Sequence, residues 1–358
     1  MTMNNIYLKL LNMASAIKNP VLATVTGAEG STPQKPGSSA IFGNGALITG
    51  TVGGGVVEGR TQEFALKCAR TKESHYFHYQ LDKNVTDPEE AICGGRITIL
   101  IDANPLDHLP VFSSIAKSIS QREAGVLITK VSGKDKPGLT IDRYWITGKL
   151  RLDFPQSVAD KIEPVISDIL SSPGPEEYRR VDIVMPGEGT ESAFFLELVC
   201  PLPELIITGA GHIGKALSHL GKLIGFEVTV IDNRSEYANT YNLPDADHII
   251  VKDIGKAVDE IEKHADTYIV IVTRGHGDDA AALRSCIETG AGYVGMIGSK
   301  AKVAKMHSDF ISKGWASEDQ WNRIFAPVGL EIKSKTVEEI AVSIAAQLIM
   351  VRNSRGRH

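Results

Sequence analysis

The chain has 358 residues, with 38 Lys plus Arg against 43 Asp plus Glu and a formal charge of −5. That balance excludes a general nucleic-acid binder, which needs a basic surplus for phosphate contacts. Hydrophobic residues at 42% and charged residues at 23% exclude a disordered chain, and the length suits two domains. No apolar run approaches the roughly 18 residues of a membrane span. The first residues lack the basic head and small-residue cleavage site of a secretory signal, so a cytoplasmic protein with no membrane association is expected. Cys68, Cys93, Cys200 and Cys286 form no CxxC pair, which argues against a disulfide framework or a structural zinc. Three or four of them read as buried, reduced thiols, and Cys93 alone has unusual neighbours.

In chain order, Leu8, Leu10, Leu11, Met13 and Ile17 place an amphipathic helix within residues 5–18. A strand at 21–26 leads into a loop of turn formers, residues 27–38. Residues 40–42 and 46–49 read as a hairpin across Gly43-Asn44-Gly45. A triple-glycine segment then enters a helix at 56–70, and strands follow at 76–80, 96–101 and 126–131. Residues 134–191 scatter Pro, Gly and charge and are the least patterned part. The CPLP joint at 200–203 separates an N-terminal domain, residues 1–200, from a C-terminal domain, residues 201–358. Beyond it the rhythm changes. Apolar runs at 204–208, 227–231, 248–251, 268–273 and 293–297 alternate with helical stretches, and a helix at 337–351 closes the chain. The fold class is therefore α/β: a C-terminal Rossmann-like doubly wound parallel sheet plus an N-terminal α+β domain.

Gly209, Gly211 and Gly214 spell G-x-G-x-x-G between an apolar strand and a helix. In that setting the first glycine permits the turn, the second admits a diphosphate, and the third lets helix approach strand. Free helix-start N–H groups would face the anion. Asp232 ends the second strand, where an acid accepts from ribose hydroxyls, while Arg234 suits a 2′-phosphate. NAD, NADP and another nucleotide all stay open. His212 either contacts the ligand or fills space at the sheet edge. Arg274 and His276 follow the fourth strand, Ser299 and Lys300 the fifth, and both loops are expected to rim one crevice with donors for an anion. His276 is also a candidate acid or base. A solvated charged loop is the competing reading. In the N-terminal domain Gly53, Gly54 and Gly55 form either an anion-binding nest or a bulge, with Glu58 closing the helix start. Cys93 precedes Gly94 and Gly95, whose unhindered N–H groups would stabilise a thiolate, and soft sulfur suits molybdenum or sulfur transfer.

The segments at 21–37, 50–58, 93–95, 209–214 with Asp232, 273–278, 293–299, 326–330 and 337–344 together resemble the xanthine dehydrogenase accessory factor family (XdhC/CoxI type). The resemblance spans nearly the whole chain. Gln34 stands where the family often has Arg, and Thr51 where it often has Ser. The resemblance implies binding of the molybdenum cofactor (molybdopterin), help in its sulfuration with a cysteine desulfurase, and delivery to a xanthine dehydrogenase-type molybdenum hydroxylase. It makes Cys93 the candidate metal ligand. The residue reading leaves two alternatives: an NAD(P)-dependent oxidoreductase using His276, and a nucleotide-sensing regulatory module. Exposed sheet edges and apolar helices make a homodimer one reading of the assembly.

Overall fold

A computed structural model describes residues 5–81, 95–133, 138–148, 154–171, 178–186 and 191–354. The chain divides into two compact units, with the boundary between Pro201 and Leu202.

The first unit opens with α1 (Ile6–Met13), capped by Asn5, whose side chain accepts from the Tyr7 and Leu8 N–H groups at 2.9 and 3.3 Å. β1 (Val21–Glu29), β2 (Ser39–Gly43) and β3 (Ala46–Gly50) form a meander. Its tight turn is the expected one: Asn44 and Gly45 both have positive φ, 52° and 88°. After α2 (Gly55–Thr71), β4 (His75–Gln80) and β5 (Arg96–Asp102) complete an antiparallel sheet of order β3-β2-β1-β5-β4. α2 covers one face of it, setting Val57, Ala65 and Cys68 against Val25, Ile97 and Ile99.

Next come α3 (Leu109–Ser120), β6 (Gly125–Ser132), β7 (Thr140–Ile146), α4 (Gln156–Ser171), β8 (Tyr178–Val184) and β9 (Glu191–Val199). The strands make a second antiparallel sheet, order β7-β6-β9-β8, on which α4 buries Val158, Ile162, Ile166 and Ile169. Pro164 interrupts the α4 pattern but is exposed, so the apolar stripe survives it. Leu10, Leu22, Phe112, Ile115, Leu127 and Val199 join α1, α3 and both sheets in one core.

A polar cluster lies inside this unit. The Arg143 guanidinium donates from Nη1 to Asp102 Oδ2 at 2.5 Å, and both side chains are only 2% exposed. Tyr7 donates its hydroxyl to Glu197 Oε2 at 2.5 Å. Burial pushes the Glu197 carboxyl up to about 7, against the opposing pull of the Tyr7 hydrogen bond and of Arg143.

In the second unit β10 (Glu204–Thr208), β11 (Glu227–Asp232), β12 (His248–Val251), β13 (Thr267–Ile271) and β14 (Tyr293–Met296) form a fully parallel sheet of order β12-β11-β10-β13-β14. The helices are α5 (His212–Leu223), α6 (Ile254–Glu260), α7 (His276–Arg284), α8 (Lys300–Ser312), α9 (Glu318–Trp321) and α10 (Val337–Ser354). Strand residues alternate between faces. Leu205, Ile207 and Val230 meet α5 and α10 through Leu217, Ile344 and Leu348, while Ile206 and Ile269 meet Val258, Leu283 and Phe310 on the other side. Among the described residues no helix is long and apolar enough to cross a membrane. Cys68 and Cys286 are buried, with thiols pushed up to about 11 and about 12 by burial, whereas Cys200 is exposed.

Two stability effects are expected from the polar cluster. Arg143→Leu leaves the Asp102 carboxylate buried without its cation, and denaturant unfolding should show a loss of about 3–5 kcal/mol. For Glu197 the folded carboxyl holds its proton between the ordinary 4.5 and about 7, where the unfolded chain has released it. Stability from this group is therefore highest below 4.5 and falls as pH rises through 7, by about 3 kcal/mol. Unfolding of the parent against Glu197→Gln across that window checks it, because the variant lacks this slope.

Candidate functional site

The strand order of the second unit reverses between β10 and β13, and ligands of such sheets bind beyond the carboxyl ends of the strands at that point. The glycine turn leaves β10 there. Gly209 has φ of 113°, and a Cβ on it would lie 2.5 Å from the Val272 carbonyl oxygen. A Cβ on Gly214 would lie 1.8 Å from the Gly209 carbonyl oxygen. Both are fixed by the chain's own backbone. Gly211, the N-cap of α5, has nothing within 4 Å of its Cβ position, so the open approach belongs to it alone of the three. His212 begins α5 and is exposed; it fills no space at the sheet edge.

Asp232 is buried and fully engaged. Its carboxylate accepts from the Ala210 N–H at 2.8 Å, the Arg234 N–H at 3.0 Å, and Arg234 Nε and Nη2 at 2.9 and 2.8 Å. Burial alone would push this carboxyl up, but the donors from Arg234 and Ala210 outweigh it and hold the group below the usual carboxylate range. Four donors fill the acceptor sites of the two oxygens. A ribose hydroxyl can therefore reach Asp232 only by displacing Arg234. The guanidinium lies 4.1 Å from the Tyr237 ring centre, and its buried Nη1 has no hydrogen-bond partner.

A crevice of about 380 Å³ opens beside this pair, lined by Asp232, Arg234, Thr273, Arg274, Gly275 and Asp278. Arg274 is exposed on its rim. His276 begins α7 outside this lining, and its Nε2 lies 3.6 Å from Asp309 Oδ2 on α8. The Ser299 hydroxyl is the N-cap of α8, accepting from the Lys302 N–H at 3.2 Å. Asp279, wholly buried, accepts from the Thr273 hydroxyl at 2.5 Å and pairs with Lys302. The structure thus joins Asp232, Arg274 and Asp278 in one crevice and sets His276 and Ser299 to other partners. Sequence reasoning missed Asp278 and the clamping role of Arg234; an arginine two residues past a strand-end acid was the available signal.

In the first unit Gly53, Gly54 and Gly55 have φ of 150°, 65° and 48°, and Gly54 and Gly55 face open space. Glu58 accepts from the Thr51 hydroxyl at 2.9 Å, and that hydroxyl in turn accepts from the Gly53 N–H at 3.2 Å. A Cβ on Gly53 would lie 3.0 Å from Pro33, and one on Gly95 would lie 2.5 Å from the carbonyl oxygens of Glu29 and Ser31. Three segments distant in sequence therefore converge around residues 31–33. Cys93 and Gly94 lie outside the described residues. Among the described residues no group of three or more His, Cys, Asp or Glu is arranged to hold a metal ion.

The parallel sheet and its glycine turn define the second unit as a Rossmann-type α/β domain, in a chain whose first unit has two antiparallel sheets. Residues 205–348 match the XdhC Rossmann domain and residues 15–80 match the XdhC and CoxI family. The chain belongs to that family. It is 22% identical to a probable xanthine dehydrogenase subunit of Bacillus subtilis, over 98% of each chain. It is 21% identical to the uncharacterized protein YqeB of Escherichia coli over 93% of its own length but spans only 43% of that relative. A crystal structure of a xanthine dehydrogenase from Bacillus halodurans shares the fold, with a TM-score of 0.76 and 23% identity over 98% of this chain and 96% of the other.

The glycine geometry separates packing from ligand approach. Gly214→Ala should lower unfolding free energy by about 1–3 kcal/mol. Gly211→Ala should cost less than about 1 kcal/mol, the difference between Gly and Ala at an N-cap. Denaturant midpoints of the two variants check the contrast.

Proposed function

We propose that this chain is a maturation factor for a xanthine dehydrogenase-type molybdenum hydroxylase: it binds the molybdenum cofactor, holds it for sulfuration with a cysteine desulfurase, and passes it on. Membership of the XdhC and CoxI family supports the reading, as does the name of the Bacillus subtilis relative that matches it from end to end. The observation that carries it is the convergence of Gly53, Gly95 and residues 31–33, beside the open backbone of Gly54 and Gly55. Main-chain N–H groups without side chains in front of them suit an anionic guest, and Cys93 stands two residues before Gly95 in the sequence. The guest would supply the redox chemistry; the chain's residues would bind and shield it, with Cys93 as the candidate sulfur ligand.

The oxidoreductase alternative draws less support. His276 is held by Asp309 outside the crevice, and Asp232 has no acceptor site left for ribose while Arg234 stays in place. NAD(P) or another nucleotide in the second unit would act there as a bound regulator, entering with displacement of Arg234.

Purified protein incubated with molybdenum cofactor, then separated from the free pool, should retain about one equivalent per chain, and Cys93→Ala should lose most of it. Failure to retain the cofactor, or equal retention by the variant, would overturn the proposal.

A further inference from the structure

The first unit holds a pocket that the glycine turns, Cys93 and the buried polar cluster leave unexplained. It encloses about 300 Å³ between the α1–β1 connection, the β2–β3 hairpin and the last turns of α2. Its floor is apolar: Val21 and Phe42 are each 1% exposed, and Ala65 and Ala69 are buried. The hollow exists because α2 turns two alanines toward this end of the sheet, too little side chain to cover it. Hydrogen bonds tie the walls to one another. The Asn44 side chain accepts from the Lys18 N–H at 3.0 Å, joining the hairpin to the α1–β1 connection. Gln62 of α2 accepts from the Leu47 N–H at 3.2 Å, and the Lys72 ammonium donates to Asn19 Oδ1 at 3.1 Å. The pocket is thus formed in advance of any guest.

Lys18 and Arg70 stand exposed on the rim, each from a different wall. Neither side chain has a hydrogen bond or ion pair among the described residues, and no Asp or Glu of those residues lines the cavity. The acids flanking Arg70 in sequence are engaged elsewhere: Glu63 pairs with Arg60 at 3.4 Å and Glu73 with His75 at 3.6 Å. The negative end of α2 accounts for Arg70, in its last turn, but not for Lys18. Two unneutralised cations over an apolar floor, in a chain of charge −5, call for an anion with an apolar body.

We infer that this pocket binds a small carboxylic acid with a compact apolar body, its carboxylate between Arg70 and Lys18 and its body over Phe42 and the two alanines. The planar fork of arginine and one ammonium match the two oxygens of a carboxylate. No Ser or Thr hydroxyl lines the cavity among the described residues, so the added donors that suit a three-oxygen phosphate are missing there. The volume stands at the lower end of ligand pockets, roughly 300–1,000 Å³, which admits one ring or a branched alkyl group and excludes a nucleotide. The inference goes beyond the maturation-factor reading and does not depend on it, because neither Cys93 nor the glycines around residues 31–33 take part.

Fluorine NMR titration of the full chain with 4-fluorophenylacetate tests it. One molecule should bind per chain with a Kd of about 1 mM or below, the scale set by so small a ligand. The uncharged 4-fluorophenylacetamide should bind at least about tenfold more weakly, and acetate, which lacks the apolar body, should fail to displace the probe. Lys18→Gln and Arg70→Gln, at exposed positions, keep the fold; each should weaken binding about threefold and the pair together about tenfold. No binding at about 10 mM overturns the inference. So does amide binding as tight as that of the acid, or binding that the double variant leaves unchanged. Tighter binding of the free peptide Gly-Gly-Phe than of the probe overturns it as well, since the occupant would then be a chain terminus.

Discussion

Four hydrogen bonds converge on the carboxylate of Asp232, and the crevice of the second unit is organised around them. The parallel ladder between β10 and β11 runs one residue past the end of β10, through the Gly209 N–H to the Ile231 carbonyl. Asp232 extends that stitching by a side chain, taking the Ala210 N–H and fixing the turn before α5 begins. The negative charge favoured near a helix start is thereby supplied from within the chain, and Arg234 neutralises it on the other side. Beside that carboxylate stand an arginine with one unpartnered nitrogen and a Gly211 with open space before its Cβ position.

The triple-glycine turn of the first unit repeats this logic with different residues. Glu58 stands in the first turn of α2 and is tethered through Thr51 to the Gly53 N–H. The charge again comes from the chain, while Gly54 and Gly55 leave main chain bare to the outside. In each turn some glycines answer to internal contacts and others face open space. The closing segments work differently. Gly329 donates its N–H to Gln347, Ser343 donates to the Leu330 carbonyl, and the Tyr293 hydroxyl donates to Gln347, so residues 326–330 are sewn to α10 as part of the core's seal.

The second unit was the more legible in sequence. Parallel strands buried on both faces read as unbroken apolar runs, and all five fall within two residues of their expected bounds. The hairpin at Asn44-Gly45 was legible for a local reason, since that dipeptide takes positive φ cheaply. The stretch from β7 to β8 was not. Pro164 breaks the helical pattern of α4 from its solvent side, and β8 exposes Arg179 and Arg180 in place of an alternating apolar face. At the sites, sequence marked Asp232 but not what occupies it, because the fold-back of Arg234 is a matter of side-chain geometry. Glu197 carried only the faint sign of an acid between two leucines near the end of β9, and its partner Tyr7 is 190 residues away.

Asp279 has a mechanical consequence for the crevice. It is wholly buried, and it ties the loop after β13, through Thr273, to the first turn of α8, through Lys302. Separating those groups would strand a carboxylate in the interior, so the two segments shift together or not at all. One side of the crevice is thus a rigid plate spanning α7 and α8, and the compliant side is the one where Arg234 rests against Tyr237.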